Sequence, residues 1–184
     1  MRRTTVACGL ALACVLALAT TAVRANASWD HGTVARASAM TFYSREIKRL
    51  QKETQYWQHV MGVQPTALRA RRLAGLTVRG IKQLDSRWYR AEKRASRQAH
   101  HPPNLSAWMC IHRYEGSWSD SGGSYYGGLQ MDVSFQSTYG GWLLRTKGTA
   151  DHWSPLEQIW TAERAARTRG FYPWPNSARL CRLI

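Results

Sequence analysis

One carboxylate in the chain is set apart by its neighbours. Glu115 follows the run Cys110-Ile111-His112-Arg113-Tyr114 and opens onto Gly116, Ser117 and Trp118; Tyr125-Tyr126-Gly127-Gly128-Leu129-Gln130 follows, with Tyr139 further on. Flat rings stack on the apolar faces of sugars, and an amide such as Gln130 bonds hydroxyl or acetamido groups. A carboxyl that holds its proton can pass it to a departing sugar oxygen. The chemistry this set suits is cleavage of a glycosidic bond. Glu115 is the expected general acid and base, and Trp118, Tyr125, Tyr126, Gly128, Gln130 and Tyr139 are the expected substrate-binding residues.

Local signals support that reading. Asn104 or Ser106 can cap a helix that runs through Trp108, Ile111 and Tyr114 to Glu115, with Gly116 ending it. A helix C-terminus disfavours negative charge, and shielding by Trp118 and the tyrosines would act in the same direction, towards a carboxyl that keeps its proton. The stretch Gly122 to Met131 reads as a glycine-hinged β-turn or hairpin. Gln136 to Trp142 suggests a short helix and loop. Ser154-Pro155-Leu156-Glu157 announces a helix with a serine cap, a first-turn proline and a capping glutamate, which stops at Gly170. Trp108, Trp160 and Trp174 are expected in the core, since a domain of 79 residues needs large side chains to build one.

Asp120 and Asp132 are the remaining carboxylates that could assist. Asp120 sits in a polar turn, and Asp132 reads as a surface or capping residue. A two-carboxylate hydrolase would hold its pair roughly 5 to 5.5 Å apart if retaining and roughly 6.5 to 9.5 Å apart if inverting. A lytic transglycosylase needs only one. Both routes stay open.

The compartment is read from the first residues. Arg2 and Arg3 precede an apolar run from Val6 to Ala19, and Ala25-Asn26-Ala27 fits a signal-peptidase site, so residues 1–27 are an expected signal peptide. The run falls short of the about 20 residues that span a membrane. Secretion and association with the cell wall follow as expectations. Of the four cysteines, Cys8 and Cys14 leave with the signal, and Cys110 and Cys181 remain as an expected disulfide.

Charge divides the rest. Residues 31–105 carry 15 Lys or Arg against four acids, whereas residues 106–184 carry eight against six. The first of these regions is helical by period. Met40, Tyr43, Ile47, Leu50, Thr54, Trp57 and Met61 form one stripe. After Gly62 and Pro65 a second stripe runs through Ala74, Thr77, Ile81, Leu84, Trp88 and Ala91, weakened by Gly75 and Gly80. The expected arrangement for residues 28–99 is an antiparallel helical hairpin with Arg69, Arg71, Arg72, Arg79, Arg87, Arg90 and Arg94 outside. Its charge is either a solvated surface or a grip on anionic wall polymers. Nucleic acid is not an expected partner of an exported chain. A monomer is expected, because the two stripes can satisfy each other. Pro102 and Pro103 break any helix, which puts a linker at residues 100–105. No metal or cofactor is expected, since His100, His101, His112 and His152 fit no ligand spacing.

From Trp108 to Cys181 the motifs occur in an order that resembles the lysozyme-like domain of resuscitation-promoting factors and related actinobacterial transglycosylase-like proteins. The shared features are Cys110 before a Glu-Gly turn, Trp118, Tyr126-Gly127-Gly128-Leu129-Gln130, Gln136-Ser137-Thr138, the Pro155 helix start, and Trp174-Pro175 before Cys181. This chain has Glu115-Gly116-Ser117 where the family pattern is Glu-Ser-Gly-Gly. The resemblance implies a mainly α, lysozyme-like fold with a small β-hairpin over 106–184, and cleavage between N-acetylmuramic acid and N-acetylglucosamine in peptidoglycan glycan strands. It also implies that Glu115 is the catalytic acid. The alternative is a non-catalytic glycan-binding module on the same scaffold.

Overall fold

The computed structural model describes residues 31–66 and 75–184. The expected signal peptide and Arg69, Arg71 and Arg72 lie outside the described residues. The described residues are mainly helical with one small antiparallel sheet, as the pattern indicates. Two long helices come first, α1 (His31–Met61) and α2 (Val78–Ala99), followed by α3 (Leu105–Glu115), β1 (Tyr125–Tyr126), β2 (Met131–Asp132), α4 (Val133–Lys147), α5 (Pro155–Arg169) and α6 (Pro175–Leu180).

The two stripes do meet, with Ile47, Leu50, Ile81, Trp88 and Ala91 buried between α1 and α2. Their direction corrects the expected antiparallel hairpin. Lys82 lies over the Tyr43 ring at 5.8 Å, Asp85 senses the charges of Glu46 and Arg49, and the Trp57 and His100 rings are 5.3 Å apart. Early residues thus meet early residues and late meet late, so α1 and α2 run parallel. The chain between them has the reach to return: 16 residues from Gly62 to Thr77 extend to about 50 Å, and the shared length from Tyr43 to Met61 is about 27 Å. Gly62 (φ +68) turns the chain at the end of α1, and Thr66 is tied back to the Gln58 side chain by its backbone N–H at 2.9 Å. Gly75 (φ +102) precedes α2 rather than weakening it. Thr77 is the N-cap, accepting from the Gly80 amide at 3.1 Å.

The late ends of both helices close over α5. Val60, Met61, Ala95, Ala99 and Trp160 form one buried cluster, and the Trp160 indole donates to Ala99 O at 2.8 Å. The connection at residues 100–105 is therefore short and lies beside a shared core. In the C-terminal region a second core gathers Trp108, Ile111, Leu129, Met131, Leu143, Trp153, Ile159 and Trp174. Buried polar side chains pin it. Glu163 on α5 accepts from Asn104 N, Asn104 Nδ2 and Trp108 Nε1, so Asn104 stands at the N-cap position of α3 without capping it through its side chain. Gln158 accepts from Gly128 N and donates to Trp118 O, Ala150 O and Trp153 O. The expected capping box at Ser154 and Glu157 is present. Where a short helix and loop were read, α4 is one stretch kinked at Gly140 (φ −131, ψ 22). A Cβ there would come within 2.7 Å of the Trp153 ring, so only glycine permits this approach. Among the described residues no helix is long and apolar enough to cross a membrane.

Candidate functional site

Glu115 is the last residue of α3, and Gly116 (φ +151) turns the chain away from it in a conformation that favours glycine. The expected disulfide is formed: Cys110 on α3 bonds Cys181 just past α6, with Cα atoms 6.0 Å apart. That bond draws α6 alongside α3. Ser177, four residues before Cys181, then meets Glu115, five residues after Cys110, and its Oγ donates to Glu115 Oε1 at 2.5 Å. Among the described residues Glu115 Oε2 has no protein partner and is left to the surface hollow in front of it.

The hollow, of about 310 Å³, is lined by Glu115, Tyr125, Gln130, Pro173, Trp174 and Asn176, among others. A second hollow of about 250 Å³ shares Tyr125, Gln130, Pro173 and Trp174 and continues past Asp132, Phe135 and Thr138 to Arg169. Together they form one groove between the β-hairpin and α4 on one side and the 173–176 segment on the other. Glu115 stands at one end and Arg169 at the other. Half of Tyr125 is exposed (51 %), and it lines both hollows.

Gln130 is placed by an unusual backbone. It sits at φ +44 in the tight turn after Gly127 (φ +74), between Tyr126 and Met131, which pair across the sheet. Its Nε2 donates to Asp120 Oδ2 at 2.8 Å and to Gly127 O at 3.0 Å. Because both partners are acceptors, the amide is oriented, and among the described residues its Oε1 has no protein donor and can accept from a ligand. Trp174, expected in the core, does both jobs: it is 4 % exposed, donates to Leu129 O at 2.7 Å, and still contributes to the groove wall.

The other candidates fall elsewhere. Trp118 stacks on His112 with ring centroids 3.9 Å apart and packs on the core behind the hairpin. Gly128 is buried beneath it, where a Cβ would lie 2.5 Å from His112 Nδ1. Tyr126 packs against the same core. Tyr139 lines a separate cavity on another face of α4. These four shape the hairpin and the domain rather than the groove. Asp120 spends its carboxylate on Gln130 and on the Gly122 amide, and Asp132 caps α4 by accepting from Phe135 N at 2.6 Å.

No protein-family model and no curated protein matches this chain. The site is therefore read from its own geometry. Ser177, Asn176 and Pro173 were missed in the sequence. The signal was there: a disulfide between Cys110 and Cys181 on two antiparallel helices brings residues counted inward from each cysteine together. Among the described residues no group of three His, Cys, Asp or Glu converges as a metal-ligand set.

Proposed function

We propose that this protein is a secreted, wall-associated enzyme that cleaves the glycosidic bond between N-acetylmuramic acid and N-acetylglucosamine in peptidoglycan, with Glu115 as the general acid and base. The observation that carries the reading is the carboxylate of Glu115 at the end of an open groove, held by Ser177 through one oxygen and with the other oxygen free. A groove that runs from Glu115 to Arg169 across two adjoining hollows suits a glycan strand. Tyr125 and Trp174 offer ring surface to sugar faces, and the free Gln130 Oε1 can accept from an acetamido N–H or a hydroxyl.

The engagement of both other nearby carboxylates in structural bonds favours the single-carboxylate route. Glu115 protonates the bridging oxygen as the C1–O bond of the muramic acid breaks, with the substrate's own acetamido group assisting at C1. The resulting carboxylate then takes the proton of the muramic acid C6 hydroxyl as its oxygen closes on C1. Atoms and charge balance, Glu115 regains its proton, and the product ends in a 1,6-anhydro ring.

The test is digestion of purified peptidoglycan with mass analysis of the soluble fragments. Wild type should release anhydro-muropeptides. Glu115→Gln should lower the rate by about 10² to 10⁴-fold, the usual scale for losing a general acid, with an unchanged melting temperature. Fragments that carry reducing ends instead would replace the lytic route with hydrolysis. Strand binding by both proteins with no soluble release from either would leave the groove a glycan-binding module.

A further inference from the structure

A second cavity, of about 340 Å³, lies where the end of α1 meets the kink of α4, away from the groove. Its walls include His59, Val63, Tyr139, Gly141, Trp142 and Arg164, and among the described residues no acid lines it. The volume is at the lower end of small-molecule pockets. Arg164 on α5 enters from below. Its Nε donates to Tyr139 O, its Nη1 to Val60 O and its Nη2 to Thr161 Oγ1. A guanidinium carries five N–H donors, so two have no protein acceptor among the described residues.

Two further basic side chains reach the same place. The His59 ring lies against Trp142 with centroids 4.2 Å apart, and Arg145 folds back along α4, its Nη1 3.3 Å from where a Cβ on Gly141 would stand. Among the described residues neither arginine forms an ion pair. Both acids of the same helix are committed elsewhere, Glu157 to Lys147, Tyr56 and the Ser154 amide and Glu163 to Asn104 and the Trp108 indole. The carbonyl acceptors of Arg164, Val60 O near the end of α1 and Tyr139 O at the kink of α4, are uncharged dipoles. Positive charge in the cavity is therefore uncompensated. Burial first, and then the nearby Arg167, brings Arg164 down to about 10, and burial followed by Arg164 and Arg145 lowers His59.

We infer that this cavity is a binding site for a small organic carboxylate with a flat or apolar body. Paired N–H donors on a guanidinium match the two oxygens of a carboxylate. Trp142, Tyr139 and Val63 supply contact area for the body, and the bound anion would offset the cost of a desolvated cation. The site is independent of the groove and of the proposed glycan chemistry.

The probe is phenylacetate, compared with its neutral amide and with inorganic phosphate, titrated into the full chain while the His59 ring protons are followed by NMR. Phenylacetate should shift the His59 signal saturably and raise the pH at which it titrates, because an anion beside the imidazolium favours the charged form. Phenylacetamide should bind about 10-fold or more weakly, the scale of one lost charged hydrogen-bond pair. Arg164→Lys should lose the fork and the binding. Should that variant not fold, Arg145→Gln, on the exposed rim, decides: it should weaken binding about threefold or more by removing one partly screened cation, at an unchanged melting temperature. Glu115→Gln should bind phenylacetate as wild type does. Equal responses to acid and amide, phosphate binding as tightly as phenylacetate, or indifference to both arginine variants would overturn the assignment.

Discussion

The two halves of the molecule hold together by different means. The α1–α2 pair closes through an apolar layer, Ile47 and Leu50 against Ile81, Trp88 and Ala91, and of its described charged residues only Glu92, beside Lys93, is buried. The C-terminal domain buries Gln136, Glu157, Gln158 and Glu163, each with several hydrogen bonds, and crosslinks its two ends. An apolar stripe fits a partner stripe in either direction, whereas a buried polar group is satisfied in one arrangement only. The first half therefore needs outside help to choose its topology, and the second chooses for itself.

Breaking the covalent link should have the largest effect. Cys110→Ser with Cys181→Ser opens a loop spanning 71 residues, and the expected loss is about 4 kcal/mol, read as a large drop in the denaturant midpoint. The loss should fall on the C-terminal domain. Near-UV circular dichroism of its tryptophans would fade first while most far-UV helicity persists. If the two signals fall together, the helical pair leans on the domain more than its own core implies.

Next comes Gln158→Ala. It strips Gly128 N, Trp118 O and Trp153 O of their side-chain partner at once and leaves Ala150 O with the Trp153 amide alone, each lost bond lying between 2.8 and 3.1 Å. Leaving buried groups unpaired costs about 1 to 3 kcal/mol each at first, so a loss of about 3 kcal/mol in chemical denaturation is expected. A loss below about 1 kcal/mol would show that water replaces the amide and that polar pinning is not what distinguishes this half.

Glu157 joins the two halves and titrates. Burial would raise its carboxyl, but the bonds from Lys147 at 2.6 Å, Tyr56 at 2.6 Å and the Ser154 amide at 2.7 Å outweigh burial and hold it below the ordinary 4.5. The same contact, with burial first, raises the Tyr56 phenol. A folded value below the unfolded one means that the native state binds fewer protons. The stabilisation is complete above 4.5 and is lost as pH falls through the folded value. The stability gap between wild type and Glu157→Gln should be widest near neutrality and narrow on acidification. A gap that widens in acid would reverse the sign and refute the account.

The smallest effect belongs to the helical pair. Arg49 bonds Glu46 and Glu53 on the exposed side of α1, and Arg49→Ala should lower the melting temperature by no more than the scatter of the measurement, because solvent screens such pairs. A larger loss would mean that surface charge, and not the apolar layer, holds α1 and α2 together.

Much of this molecule is written locally. The Ser154 cap and Pro155 start of α5, the glycine-hinged turn around Gly127 and the stop at Gly116 follow from short-range rules of propensity and capping. Residues close in sequence enforce them whatever the rest of the chain does. Glu115 and Gln130 stood out for the same reason, by residue type beside glycine. Which aromatic rings would reach a ligand was not legible: Tyr125 and Tyr126 are neighbours, yet alternation along a strand sends one to the groove lip and the other to the core.

Other features belong to the assembled chain alone. The parallel course of α1 and α2, the meeting of Ser177 with Glu115, and the basic cavity around Arg164 each join residues far apart in sequence. Periodicity names the face a helix buries and carries no information about the direction of its partner. That direction was decided by a connection long enough to return and by Trp160, which offers Val60, Met61, Ala95 and Ala99 a common surface at one end.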